Sequence, residues 1–195
     1  MSPADLDRTV RWTPIGGSGF EHLQLRAEEG GYVARSIVLG IDDTETPFRL
    51  QYKIKTDQAW RARKVWVRAA TPFGESAQTL RSDGQGNWRN EDGTELPALR
   101  DCIDVDITAT PFTNTLPINR LRLTPGQSVD IRVVYLTAPG LDISVSAQRY
   151  SRRGPDSDVF FESPAHDFAA LLPIDGDGLV LDYPELFQRV HPRYE

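Results

Sequence analysis

The sequence lacks the features that mark several large classes of protein. Its single cysteine, Cys102, cannot form an internal disulfide, which is typical of a protein of the reducing cytoplasm. No apolar run approaches the roughly 20 residues that a helix needs to cross a bilayer. The opening residues, MSPADLDRTVRW, contain no basic segment followed by an apolar one, so no export signal is predicted. We therefore expect a cytoplasmic protein without a membrane span.

The sequence also lacks the features of nucleic-acid-binding proteins and the common motifs of nucleotide-binding proteins and hydrolases. The chain has 22 basic and 28 acidic residues and a net charge of -6, whereas binding to a phosphate backbone requires clustered Lys and Arg. Gly16, Gly17 and Gly19 are not followed by Lys-Ser or Lys-Thr, so they predict a flexible turn rather than a phosphate-binding loop. No Gly-x-Ser-x-Gly nucleophile motif occurs.

The sequence predicts neither a metal site nor a cofactor. Three histidines, His22, His166 and His191, are scattered without the spacing of metal ligands and are expected at the surface. The run 175–178, Asp-Gly-Asp-Gly, resembles the start of a calcium loop but lacks its later oxygen ligands, so we interpret it as a turn. Cys102 has no His-assisted motif beside it and is expected to be a small buried hydrophobe.

Short alternating strands dominate the chain. In the segment 48–55, apolar Phe48, Leu50, Tyr52 and Ile54 alternate with Arg, Gln and Lys, the pattern of a half-buried strand. The segments 20–27 and 31–39 predict one hairpin, and 128–137 and 141–150 predict another. A short helix is predicted only at 184–190, after Pro184. With 195 residues, we expect one domain over 1–195 in an all-β sandwich, barrel or open curved sheet.

The stretch 101–121 carries the most suggestive polar residues. Alternation from Cys102 to Thr108 puts Asp104 and Asp106 on one face of a strand, with Cα atoms roughly 7 Å apart. Such a pair can orient sugar hydroxyls, bind a cation, act as acid and base in glycoside cleavage, or simply face solvent. The segment that follows, bracketed by Pro111 and Pro117, has the mixed polar and apolar composition of an ordered loop.

Aromatic residues fall in or beside many of the predicted strands. Tyr52, Trp66, Tyr135 and Tyr150 each combine an apolar ring with a polar tip. Such rings line grooves for amphipathic ligands, and they also pack in ordinary cores. Both interpretations of these aromatics stay open at the level of sequence.

Several motifs together resemble a bacterial family of uncharacterised proteins described as glycolipid-binding. They are Gln-Gly-Asn-Trp at 85–88, Asp-Val-Asp at 104–106, Pro-Phe-Thr-Asn-Thr-Leu-Pro-Ile-Asn-Arg-Leu at 111–121, the strand that ends at Tyr135, Gln-Arg-Tyr at 148–150, Gly-Leu-Val at 178–180 and Asp-Tyr-Pro at 182–184. The resemblance implies a single-domain curved antiparallel sheet, a half-barrel or open barrel with at most one or two short helices. The implied fold is similar to that of bacterial lipoprotein carriers, whose concave side holds acyl chains.

Three functional hypotheses follow. The first is non-catalytic binding of a glycolipid or similar amphipathic small molecule on the concave face of the sheet. The second is an enzyme that uses Asp104 and Asp106 on a carbohydrate or a lipid headgroup. The third is a structural or partner-binding protein in which the loop only supports the sheet. The expected ligand-binding residues are Asp104, Asp106, Thr113, Asn114 and Arg120 for the polar head, Tyr52, Trp66 and Tyr135 for the apolar part, and also Gln148 and Tyr150.

Overall fold

The computed structural model describes residues 6–154 and 158–192, and β-strands account for most of them. The strands are β1 Asp7–Pro14, β2 Phe20–Glu28, β3 Gly31–Ile41, β4 Pro47–Asp57, β5 Ala62–Thr71, β6 Gly74–Ser82, β7 Trp88–Asn90, β8 Asp104–Ile107, β9 Ser128–Leu136, β10 Ile143–Ser151, β11 Val159–Ser163, β12 Phe168–Leu172, β13 Asp182–Tyr183 and β14 Phe187–His191. The helix α1 spans Thr115–Leu121, and 3-10 turns span Pro97–Leu99, Pro111–Asn114 and Pro164–His166. The predicted all-β fold is confirmed.

The larger sheet is an antiparallel meander of β1 to β7, and β14 and β13, near the end of the chain, extend it beyond β1. Its strand order is β13-β14-β1-β2-β3-β4-β5-β6-β7. In β4 the predicted alternation is confirmed, because Leu50, Tyr52 and Ile54 are buried while the intervening residues are partly exposed. The predicted hairpin of 20–27 with 31–39 is the β2–β3 pair, which extends from Phe20↔Leu39 to Glu28↔Gly31. This sheet therefore forms mainly from sequence neighbours.

The smaller sheet, in the order β12-β11-β10-β9-β8, is curled into a half-barrel. The predicted hairpin of 128–137 with 141–150 is its β9–β10 pair. The strand β8 joins β9 in parallel, from Asp104↔Val133 to Ile107↔Leu136. Parallel strands need a crossover of about a dozen residues or more, usually helical. The segment between β8 and β9 supplies that crossover, which explains why it is ordered.

The crossover is helical where an ordered loop was expected. Thr110 is extended, and its hydroxyl accepts a hydrogen bond from the Phe112 amide at 3.0 Å, which caps the 3-10 turn Pro111–Asn114. The chain then continues into α1, where Pro117 lies in the first turn and its missing N–H removes no helical hydrogen bond. The helix ends at Arg122, whose left-handed backbone has φ 47°.

The helix predicted at 184–190 is wrong. Glu185 has a left-handed φ of 68°, which closes a turn, and the chain then forms β14. Phe187–His191 pairs with β1, for example Pro14↔Phe187 and Thr13↔Gln188. Pairing with a neighbouring strand gives these backbone groups hydrogen-bond partners and overrides the weak local preference for a helix after proline.

Two hydrophobic clusters fill the interior. The first lies against the larger sheet and includes Trp12, Tyr52, Trp88 and Phe112, whereas the second, with Tyr150, Phe161 and Leu172 among its members, lies against the smaller sheet. Cys102 belongs to the first cluster, and burial raises the pKa of its thiol to about 11, as expected for an inert buried residue. Among the described residues, no helix is long and apolar enough to cross a membrane.

Candidate functional site

The two aspartates of β8 share a face but have different surroundings. The Asp104 side chain is fully buried, and the Arg120 guanidinium of α1 grips both carboxylate oxygens, with Nη2 at 2.6 Å from Oδ2 and Nε at 3.1 Å from each oxygen. Burial raises the pKa of Asp104, and the hydrogen bonds and positive charge of Arg120 oppose that rise. This ion pair connects the crossover helix to the smaller sheet.

Asp106 is half-buried and borders a cavity. Its carboxylate accepts hydrogen bonds from Thr113 Oγ1 at 3.0 Å and from Gln148 Nε2 at 2.6 Å. Burial raises the pKa of this carboxyl, while the two hydrogen bonds and the nearby His166 lower it. Thr113 and Gln148 are themselves buried, so they hold Asp106 in place from behind. The carboxylate is thereby fixed at the wall of the cavity.

The cavity at Asp106 has a volume of about 230 Å³ and lies beside the crossover. We call it the polar cavity. Its polar lining comes from β8, the crossover, β9, β11 and β13, and consists of Asp106, Thr108, Thr110, Asn114, Tyr135, Ser163, His166 and Tyr183. Apolar rings of Phe161, Phe168 and Phe187 complete the wall. Aromatic faces with a few oriented polar groups are typical of small-molecule sites.

A hydrogen-bond network positions the polar lining. The Tyr150 hydroxyl, which is buried, donates to Asn114 Oδ1 at 2.8 Å. The Asn114 side chain also hydrogen-bonds the Tyr183 hydroxyl, although burial still raises the pKa of that tyrosine. Ser163 Oγ lies 2.8 Å from His166 Nδ1, and the His166 ring packs 5.0 Å from the Tyr135 ring. Beside Asp106 and His166, the lining thus offers hydroxyl and amide donors and acceptors, the groups that match sugar hydroxyls.

An apolar groove of about 610 Å³ adjoins the polar cavity. We call it the apolar trough. Its lining includes five large apolar side chains that remain substantially exposed, namely Ile15, Phe20, Leu39, Ile41 and Leu186. Thr108, Leu186 and Phe187 line both the trough and the polar cavity, so the two are adjacent and share a wall. Exposed apolar side chains gathered in a groove mark an interaction site more often than scattered ones do.

A buried carboxyl stands between the trough and the cavity. Glu21 of β2 is 2% exposed, and it accepts hydrogen bonds from Ser36 at 2.6 Å, Tyr52 at 2.5 Å and Thr110 at 2.6 Å. Burial raises the pKa of Glu21 from 4.5 to about 7 despite these three bonds. Glu21 lines the trough and Thr110 lines the cavity, so this cluster ties the larger sheet to the crossover.

The structure brings most of the sequence-predicted site residues together. Asp106, Asn114 and Tyr135 line the polar cavity, while Thr113, Gln148 and Tyr150 support Asp106 and Asn114 from behind. Four other predicted residues lie elsewhere. Asp104 and Arg120 form the buried ion pair, Tyr52 is buried against Glu21, and Trp66 lies on the outer face of β5 between Lys53 and Thr79.

Other lining residues were not predicted as site residues from the sequence, although Tyr183 belongs to the Asp-Tyr-Pro motif at 182–184. Ser163, His166, Tyr183, Leu186 and Phe187 come from β11 to β14, far along the chain from Asp106, and only tertiary structure brings them close. Glu21 did carry a signal, because the β2 alternation puts it on the same face as Leu23 and Leu25. A carboxyl on the apolar face of a strand indicates an unusual environment.

The potential metal ligands of the described residues do not gather into a site. Over 6–154 and 158–192, no group of His, Cys, Asp and Glu side chains is placed to hold a metal ion. The 175–178 segment forms the predicted turn, in which Asp175 Oδ1 accepts hydrogen bonds from the amides of Asp177 and Leu179 at 2.9 and 3.0 Å. Asp175 Oδ2 accepts a hydrogen bond from Arg189 at 2.7 Å. These contacts stabilise the turn.

Comparison with known proteins gives one family and one solved structure. A family model described as "Putative glycolipid-binding" matches residues 9–189. The crystal structure of a DUF1089 family protein from Pseudomonas aeruginosa is similar, with 37% sequence identity, a TM-score of 0.80, and coverage of 87% of this chain and 92% of that one. A search of curated proteins gave no significant match. At this identity and coverage the likeness extends over most of the fold.

Proposed function

This chain belongs to the family described as "Putative glycolipid-binding", and from that premise we propose that it binds one amphipathic molecule without catalysis. The polar head occupies the polar cavity, against Asp106, Asn114 and Tyr135. The apolar chain lies along the apolar trough. The observation that carries this proposal is that the two compartments adjoin each other and share Thr108, Leu186 and Phe187.

The sizes and chemistry of the compartments support this arrangement. The polar cavity is the smaller, at about 230 Å³, and has hydroxyl, amide and carboxylate groups. The trough, at about 610 Å³, has a predominantly apolar wall, including Phe20 and Leu39. A molecule with a compact polar end and a longer apolar end satisfies both, whereas a wholly polar ligand leaves the trough exposed to water.

A two-carboxylate enzyme fits these surroundings less well. Cleavage of a glycoside by paired carboxylates requires both groups to reach the scissile bond from opposite sides. Asp104 is fully buried, with both oxygens bonded to Arg120, and only Asp106 lines the cavity. The geometry therefore favours binding over catalysis by this pair.

Leu186→Ser, with Leu171→Ser as its matched control, tests the proposal. Both leucines are partly exposed, at 40% and 47%, but only Leu186 lines the trough and the cavity. The probe is dodecyl-β-maltoside, titrated calorimetrically below its micelle concentration. The uncovered area of Leu186 is worth about 1 to 1.5 kcal/mol when a chain covers it, so we expect affinity to fall about tenfold.

The control defines the outcome. Leu171→Ser should leave the affinity unchanged, because Leu171 lies on β12 outside both compartments. Equal losses in the two variants would show that the effect is not local to the trough. A wild-type protein that never takes up the maltoside, and that retains no lipid in native mass spectrometry, would overturn the proposal.

A further inference from the structure

The linings of the polar cavity and the apolar trough are rich in carboxyl groups. The cavity contains Asp106, and the trough contains Glu21, Asp42, Asp43 and Glu185. No Lys or Arg stands among the described residues that line either compartment. The chain as a whole has 22 basic residues, so their exclusion from this region is local. Among the described residues, His166 is the one basic side chain on these linings, so a ligand entering here meets several carboxyl groups and no guanidinium or ammonium group.

Two arginines with little exposed surface, Arg120 and Arg189, are engaged with carboxylates outside these linings. Arg120 grips Asp104 through contacts of 2.6 and 3.1 Å. Arg189 binds Asp175 at 2.7 Å, and its side chain is 2% exposed. Neither arginine lines a compartment. On the described lining, an anionic head in the cavity therefore finds neither Arg nor Lys, the residues that phosphate and carboxylate recognition normally uses.

The remaining groups of the cavity suit an uncharged head. The hydroxyls of Tyr135, Ser163 and Tyr183 can donate or accept, and the Asn114 amide can do both. Asp106 accepts hydrogen bonds from Thr113 and Gln148, and a carboxylate has capacity for further donors. Hydroxyl groups of a sugar can supply such donors without adding negative charge. Phosphate, sulfate or carboxylate groups cannot, because their oxygens repel the carboxylate.

We propose that this site discriminates by charge, accepting amphiphiles with a neutral polyhydroxylated head and rejecting those with an anionic head. The inference rests on the proposed binding function and specifies its ligand class. It separates a neutral glycolipid from the phospholipids and fatty acids that share the same apolar chain. Selectivity comes from the electrostatic cost of placing an anion beside Asp106 and behind the acidic residues of the trough.

A pair of probes with the same chain tests the proposal. Dodecyl-β-maltoside and dodecyl phosphate both have a chain of twelve carbons, so only the head differs between them. Both are titrated at pH 8 below their micelle concentrations. We expect the maltoside to bind at least tenfold more tightly. Equal or tighter binding of dodecyl phosphate would overturn the charge discrimination while leaving amphiphile binding intact. Failure of both probes to bind would overturn the binding function itself.

Two sets of variants connect the discrimination to the named carboxylates. Asp106→Asn should reduce the ratio of maltoside affinity to dodecyl phosphate affinity at least threefold. Asp101 is exposed and lies outside both compartments, so Asp101→Asn should leave this ratio unchanged. Because Asp106 also holds Thr113 and Gln148, a second variant combines Asp43→Asn with Glu185→Gln. Both of those residues are exposed and line the trough, and their neutralisation should narrow the preference without affecting folding. An unchanged preference in both folded variants would contradict the proposal.

Discussion

Glu21 should make the protein less stable as pH rises from acid to mildly alkaline conditions. Its carboxyl is buried between the larger sheet and the crossover, with hydrogen bonds from Ser36, Tyr52 and Thr110. Burial raises the pKa to about 7 in the folded state, against an ordinary value of 4.5. The folded chain therefore holds this proton more tightly than the unfolded chain does.

The sign and size follow from linkage. A carboxyl whose pKa is raised on folding contributes stability that is complete below the unfolded pKa, and this stability is lost as pH rises through the folded pKa. A difference between 4.5 and about 7, at about 1.4 kcal/mol per pH unit, corresponds to about 3 kcal/mol. The loss should begin above pH 4.5 and be nearly complete by about pH 8.

Glu21→Gln isolates this contribution, because glutamine has the same shape and cannot ionise. The amide must reorganise the hydroxyls of Tyr52 and Thr110, which adds a constant offset of about 1 kcal/mol that does not depend on pH. Urea denaturation at pH 4.5, 6, 7 and 8 and constant ionic strength gives the unfolding free energy of both proteins. We expect the wild type to lose about 3 kcal/mol relative to the variant across this range.

The difference between the two proteins cancels the other titrating groups, including Asp104 and Asp106, whose pKa values burial also raises. Glu29→Gln, at an exposed residue in the turn between β2 and β3, provides the control and should track the wild type. A wild-type-minus-variant difference that stays constant with pH, or one that grows in favour of the wild type, would refute the reasoning.

Two further predictions concern residues that the sequence grouped into one site. Arg120→Met leaves Asp104 buried without its partner, so it should lower the unfolding free energy, measured by urea denaturation, by about 3–5 kcal/mol. The double variant Arg120→Met with Asp104→Leu should recover most of that loss, because no unpaired charge is then buried. An absence of recovery would contradict the ion-pair account. Trp66 lies on the outer face of β5, so Trp66→Ala should leave the affinity for the maltoside within about twofold of wild type. Tyr135 lines the polar cavity, so Tyr135→Ala should lower that affinity about tenfold, which corresponds to about 1.4 kcal/mol. A larger loss of affinity in Trp66→Ala than in Tyr135→Ala, measured by calorimetry, would place the ligand on the other face of the sheet.

Alternation predicted the strands well because it is a local signal. The pattern of 48–55 matches β4, and the two predicted hairpins are the β2–β3 and β9–β10 pairs. The parallel pairing of β8 with β9 left no such signal, since residues about thirty positions apart, such as Asp104 and Val133, become neighbours. The helix predicted at 184–190 failed for a related reason, because β1 supplies the hydrogen-bond partners that make this segment a strand.

The candidate site could be predicted only in part, for reasons that particular residues make clear. Asp104 and Asp106 do share a face, as the two-residue period requires. Periodicity contains no information on what the two aspartates contact. In the structure Asp104 is buried in an ion pair with Arg120, whereas Asp106 lines the polar cavity. His166 and Tyr183 could not be joined to Asp106 from sequence, because turns and strands of a different region bring them there.

The family block at 111–121 therefore has mainly a supporting role in the site that it helps to build. All seven residues from Pro111 to Pro117 are buried, and of these only Asn114 lines the polar cavity. The block supplies the crossover that the parallel β8–β9 pair requires, and Thr113 holds Asp106 at the wall of the polar cavity. Most of the residues that line the two compartments lie outside the block, chiefly in 163–187, 15–20 and 39–43. Substitutions there should change which amphiphile is bound while preserving the fold, whereas substitutions in the block should affect the fold first.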